Sequence, residues 1–129
     1  MRKLLLITAI AGLGVTVMGS TAASATARDD YPGAHVANSH GDWLAEAQLS
    51  KHHNRIIICD RSTDHRYAMA KVRYQGHTYQ YANYYKNQDC IEQKTINMPH
   101  GTIELWACVS KPYKVKFAYC GPKQTIVRK

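Results

Sequence analysis

Seven histidines, His35, His40, His52, His53, His65, His77 and His100, are the residues of this chain that most readily suggest catalysis or metal binding. A zinc site needs ligands spaced so that they converge, as two histidines one helical turn apart do in H-E-x-x-H. No such spacing occurs here. His52 and His53 are adjacent and diverge on an extended chain, and the others lie beside glycine or in polar turn segments. The cysteines lack C-x-x-C spacing, so no metal or other cofactor is expected. Asp60 and Asp64 are carboxylates of the type that binds calcium, but they stand four apart without an EF-hand pattern and read as turn formers.

RNA cleavage by a small basic protein needs a base, an acid and a cation to stabilise phosphorane-like charge. Glu104, His65, His100, Arg66 and Arg73 are candidates by type, with no spacing that links them. No serine sits in a G-x-S-x-G elbow. No catalytic residue is therefore assigned. A secreted ribonuclease-type toxin is kept as an alternative. So is an inhibitor of an extracellular hydrolase, which would present the loop 97–100 (NMPH) to an enzyme cleft.

Cys59, Cys90, Cys108 and Cys120 have a more ordinary use. Arg2 and Lys3, an uncharged apolar stretch over residues 4–18, and overlapping A-x-A sites at Ala23, Ala25 and Ala27 read as a signal peptide over residues 1–27. Removing it leaves 102 residues, enough for one domain, in a compartment where disulfides persist. Nothing after the leader approaches the ~20 apolar residues of a membrane span, so a soluble secreted product is expected. The full chain carries a net charge of +8, and the part after the leader carries +6. That field favours anionic partners, yet the basic residues are scattered and no nucleic-acid ligand is expected.

The elements that position these residues read as strands. Residues 43–49, 55–60 (RIIICD), 67–74 (YAMAKVRY), 78–85 (TYQYANYY), 103–109 (IELWACV), 113–120 (YKVKFAYC) and 125–127 are rich in β-branched and aromatic residues and are separated by turn chemistry. Residues 44–49 could also form a short helix started by Asp42, but the turn-like 51–54 favours a hairpin. The fold class expected is all-β, a small antiparallel β-sandwich over residues 42–129 with two disulfides. A turn at 110–112 would bring Cys108 beside Cys120, which leaves Cys59 for Cys90, one of three pairings that four cysteines allow. Alternation in 113–119 puts Tyr113, Val115, Phe117 and Tyr119 on a core face. Trp43 and Trp106 read as core anchors.

Residues 28–41 (RDDYPGAHVANSHG) show no sustained hydrophobic period and read as an extended N-terminal arm. Its Tyr31, His35 and Val36 are candidate anchors for a partner that orders it. Tyr79, Tyr81 and Tyr85 share one face of their strand and are further candidates for partner contact, with Tyr84 opposite.

The run 55–64 (RIIICDRSTD), the alanine-rich strand after it, the Gly76 turn, Cys90, the Trp106-Ala107-Cys108 run and Cys120 resemble small exported actinobacterial proteins. Over residues 43–120 the chain is similar to the small adaptor subunits of the Streptomyces umbrella toxin particles. His65 departs from them by standing where many carry glycine. The resemblance implies a non-enzymatic β-sandwich in a hetero-oligomer, linking a lectin-like subunit to a large toxin chain, with residues 28–41 inserted into the lectin. The expected function is thus a secreted adaptor of an extracellular antibacterial particle.

Overall fold

A two-residue turn shows how closely this chain follows its local chemistry. Gln75 and Gly76 both have positive φ, 50° and 78°. That is the turn whose twist suits an antiparallel hairpin, and it pairs Tyr74 with His77. The computed structural model describes residues 30–85 and 89–129, so the signal-peptide reading of residues 1–27 lies outside the described residues. Nine strands and no helix occur among those described. They are β1 (Gly33–Ala37), β2 (Trp43–Leu49), β3 (Arg55–Asp60), β4 (Ala68–Tyr74), β5 (His77–Asn83), β6 (Cys90–Lys94), β7 (Gly101–Ser110), β8 (Phe117–Cys120) and β9 (Gln124–Arg128).

Two antiparallel sheets result. One has the order β1-β2-β3-β6, and the other β9-β7-β4-β5 with β8 also paired to β7. The ten-residue β7 has room for two partners on one edge: β9 runs along Gly101–Leu105 and β8 along Cys108–Ser110. Both bridges join residues directly opposite each other, Cys59 with Cys90 across β3 and β6, and Cys108 with Cys120 across β7 and β8. The expected sandwich and both expected pairings are therefore present.

Alternation decides which side chains fill the space between the sheets. Ala45, Ala47, Leu49, Ile56 and Ile58 come from one sheet, and Ala68, Ala70, Val72, Ile103, Leu105, Ala107 and Val109 from the other. The core is graded. Leu49, Ile56, Met98, Ile103 and Ile126 crowd one end, while Ala45 and Ala68 mark the other.

Arg128 closes the crowded end. Its guanidinium donates to Met98 O (2.6 Å), Ser50 O (2.6 Å), His53 O (2.8 Å) and Asn54 Oδ1 (2.9 Å). Burial pushes its pKa down, since no water-like environment replaces the hydration it has lost. A smaller cluster of Met69, Ala82 and Cys108 lies on the outer face of the second sheet, with Val115 and Phe117 folded over it.

Three expectations need correction. From residue 33 onward the presumed arm is an edge strand, paired from Gly33 opposite Gln48 to Ala37 opposite Trp43. Ala34 and Val36 are buried, because even five residues in alternation can cover the side of a sheet, and Tyr31, just before the strand, is buried with them. Only residues 117–120 of the 113–120 run form a strand: Lys111 N bonds Lys116 O and closes a loop, leaving Tyr113 exposed at φ 58°. The tryptophans are not core anchors. Trp43 is 46% exposed and stacks on His35, and Trp106 lies half-buried on the outer face beneath Lys71 Nζ, 4.4 Å from the ring centroid.

Gly121 joins the sheets at the β1 edge. Its N–H donates to Ala107 O, and a Cβ at this position would collide with the backbone of His35. Gly121→Ala should therefore lower stability by about 1–3 kcal/mol through overpacking, measurable as a shift of the urea midpoint with both disulfides intact.

Candidate functional site

The end of the sandwich where the core tapers to alanine carries a cleft of about 330 Å³. It is built from three chain segments: 60–67, from the last residue of β3 toward β4; 83–85, from the last residue of β5 onward; and Tyr113 in the loop between β7 and β8. Turn chemistry shapes the first. Asp60 accepts a hydrogen bond from Ser62 N (3.1 Å) and Asp64 from Arg66 N (3.2 Å), so each carboxylate folds the chain two residues on. His65 then takes φ 61°, the left-handed conformation that glycine adopts at least cost.

Ser110 anchors this segment to the second sheet. Its buried hydroxyl accepts from Tyr67 N (2.8 Å) and donates to Lys111 O (2.7 Å), while its carbonyl receives Arg66 (2.7 Å). Asn83 fixes the opposite wall. Its Nδ2 lies 3.3 Å from both Ile58 O and Asp89 O, and its Oδ1 accepts from Tyr85 N (2.9 Å). A buried amide used at both ends of its side chain leaves the walls little freedom.

Tyrosines dominate the rim. Tyr84 is 58%, Tyr85 60% and Tyr113 70% exposed, and Tyr67 lies half-buried with its ring 5.9 Å from that of Tyr84. His65 stacks on Tyr113 at 5.1 Å, joining two residues that both hold positive φ. Such backbone costs on the order of 1 kcal/mol or more at each residue and persists only where the surroundings over-determine it. Burial is the main cause that pushes the Asp60 carboxyl above its usual range; the Ser62 N–H opposes this, and Asp64 and Asp89 add to it.

The sequence candidates are distributed unevenly. Tyr85 belongs to the cleft, but Tyr79 and Tyr81 are half-buried against the core, and the Tyr81 hydroxyl accepts from Ile96 N (3.0 Å). Tyr31 and Val36 are enclosed in the domain, and Tyr31 OH reaches Glu92 Oε2 at 3.3 Å. His35 is half-buried in its stack with Trp43. The residues considered for RNA cleavage do not converge. His65 and Arg66 precede β4 and His100 precedes β7 at the far end of the same pair, a seven-residue strand or roughly 20 Å away. Glu104 is opposite Arg73, and Lys123 at 2.7 Å holds its carboxyl below the ordinary value.

Of the loop 97–100 considered for an inhibitor, Met98 is fully buried and its carbonyl is held by Arg128. Among the described residues no three of His, Cys, Asp and Glu gather where they could hold a metal ion. Sequence reasoning missed Tyr67, Tyr84 and Tyr113 as one group because they come from separate segments. The available signals were the two Asp turns and the unusual His65.

No protein-family model, no curated protein and no solved structure matches this chain.

Two outcomes follow from the geometry. Ser110→Ala strands the Tyr67 N–H in a buried setting and should cost about 1–3 kcal/mol, read from denaturant unfolding. For Asp60, the raised folded pKa means that the folded state binds the proton more tightly than the unfolded one. Stability from this group is therefore greatest below the ordinary carboxylate pKa and is lost as pH rises through the raised value. Asp60→Asn, which keeps an acceptor for Ser62 N, should melt above the wild type at neutral pH. The gap should close as pH falls through the carboxylate range in thermal scans.

Proposed function

We propose that this protein is a secreted, non-catalytic adaptor, a subunit that holds an extracellular assembly of antibacterial-toxin type together. In this reading it joins a lectin-like subunit to a large toxin chain within a hetero-oligomer. The compartment is supported by two disulfides and no free cysteine among the described residues, a pattern that persists under oxidising conditions. The sequence adds the leader pattern of residues 1–27.

The observation that carries the binding role is the tyrosine rim. Three tyrosines more than half exposed border one braced cleft. Tyrosine offers a large rigid surface at low entropic cost and is over-represented among residues that dominate interface energies. An adaptor needs such a face to be present before its partner arrives, because every loop ordered on binding subtracts from affinity. The hydrogen bonds of Ser110 and Asn83 supply that order.

Lys51 N donates to Asp30 O and Leu49 N to Pro32 O, so the chain from residue 30 onward belongs to the domain, and the reading rests on the cleft and not on an inserted arm.

Affinity capture from culture supernatant of the producing organism, with mass spectrometry, tests the proposal. The wild-type protein should recover a lectin-like protein and a large repeat-bearing chain in fixed ratio. Tyr84→Ala with Tyr85→Ala should weaken that recovery by at least about 2 kcal/mol, or roughly 30-fold in affinity, without lowering the melting temperature. Undiminished recovery by the variant, or no stoichiometric partner at all, would refute the reading.

A further inference from the structure

We infer that the tyrosine cleft is a receptor for a single cationic side chain, a lysine or arginine presented by a protein partner. This rests on the reading of the cleft as a partner-binding face and goes beyond it by naming what enters. Asp60 and Asp64 both line the cavity, and the Asp60 N–H donates to Asp89 O (2.6 Å), which sets a third aspartate beside the cleft though outside its lining. The hydrogen bonds to the Asp60 and Asp64 carboxylates come from the backbone N–H groups of Ser62 and Arg66, neither of which carries a full charge to the oxygens. Among the described residues the ion pairs are Arg61 with Glu46 and Lys123 with Glu104, and both lie outside the cleft lining.

Arg66 is the cation built into the cleft wall, and it is committed elsewhere. Its guanidinium donates to Ser110 O and lies over the ring of Tyr119, 5.9 Å from the centroid. The carboxylates are thus gathered without a described counter-charge, in a chain whose overall charge is strongly positive. A ligand that neutralises them gains more there than at a scattered surface acid, since the walls exclude part of the water.

The walls fit the same ligand. Tyr67, Tyr84, Tyr85 and Tyr113 present aromatic rings around the acids, and an ammonium or guanidinium is attracted to an aromatic face as well as to a carboxylate. A neutral sugar would also stack on tyrosine, but it would leave the two cleft carboxylates unneutralised. The anionic alternative is disfavoured by the same charges. Another concavity among the described residues, lined by Lys51, His52, Arg128 and Lys129, has the opposite character.

The test uses the ¹⁵N-labelled protein titrated with N-acetyl-lysine methylamide and N-acetyl-arginine methylamide. The neutral isostere N-acetyl-norleucine methylamide and methyl glucoside serve as comparisons. Saturable shifts are expected at residues 60–67, 83–85 and 113 with the cationic probes only. Affinity should fall about tenfold in the Asp60→Asn, Asp64→Asn double variant, or in Asp64→Asn alone if the double variant does not fold. Absence of saturable shifts, equal response to norleucine, or stronger response to the glucoside would overturn the inference. Partner capture separates it from the broader reading. If the aspartate variant still recovers partners while Tyr84→Ala with Tyr85→Ala does not, the cationic anchor is wrong and the interface stands. If the probes bind but the tyrosine variant recovers partners in full, the interface reading is the one that fails.

Discussion

Two covalent cross-braces set the geometry on which everything else in this molecule depends. Each links residues directly opposite on adjacent antiparallel strands, and both lie at the tapered end of the sandwich. Asp60 follows Cys59 and Asp89 precedes Cys90; Ser110 stands two residues beyond Cys108, and Tyr119 adjoins Cys120. The bridges span 31 and 12 positions of sequence. In the chain-entropy account, loops of that order contribute about 3 kcal/mol each by restricting the unfolded ensemble, a large share of the roughly 5–15 kcal/mol by which small domains are stable. They also keep the loops of the cleft from separating. A short core of alanines is then sufficient where a sandwich would otherwise need bulk.

The two ends of the fold divide the work. At one end Leu49, Ile56, Met98 and Ile103 exclude water, and Arg128 gathers the carbonyls of Ser50, His53 and Met98. A buried charge held by neutral oxygens tolerates little displacement of its neighbours. At the other end the polar groups are arranged around open space. Ser110 and Asn83 spend their hydrogen bonds on the backbone that frames the opening, while the tyrosine rings remain available to solvent.

Much of the framework was legible in the residues. The β-branched and aromatic runs marked β3, β4, β5 and β7, and the return of the chain after β7, which runs through residues 111–116 and not the expected 110–112, still made the Cys108 pairing readable. The edge strands were harder. β1 (GAHVA) and β6 (CIEQK) are five residues each, and on the inner side of β6 Ile91 is followed by Gln93, whose amide donates to Ala82 O of the other sheet, so their hydrophobic content falls beneath any local threshold. The 113–119 alternation misled for a different reason. Val115 and Phe117 do cover apolar surface, but it is the outer cluster of the second sheet, reached from the loop after β7 and from the first residue of β8. The cleft was nearly invisible because its tyrosines meet only through tertiary pairing. Tyr79 and Tyr81, which alternation did group, turn toward the protein's own interior.

The close approach of Gly121 to His35 has a consequence for how the molecule is assembled in time. The hairpin of β4 and β5 closes over two residues, whereas this contact joins the start of the described chain to its last tenth. Contacts so distant in sequence carry the largest closure entropy and form slowly. The seam between β1 and the Gly121 segment is accordingly slow to close, whereas β1 itself pairs with β2 through a short local connection.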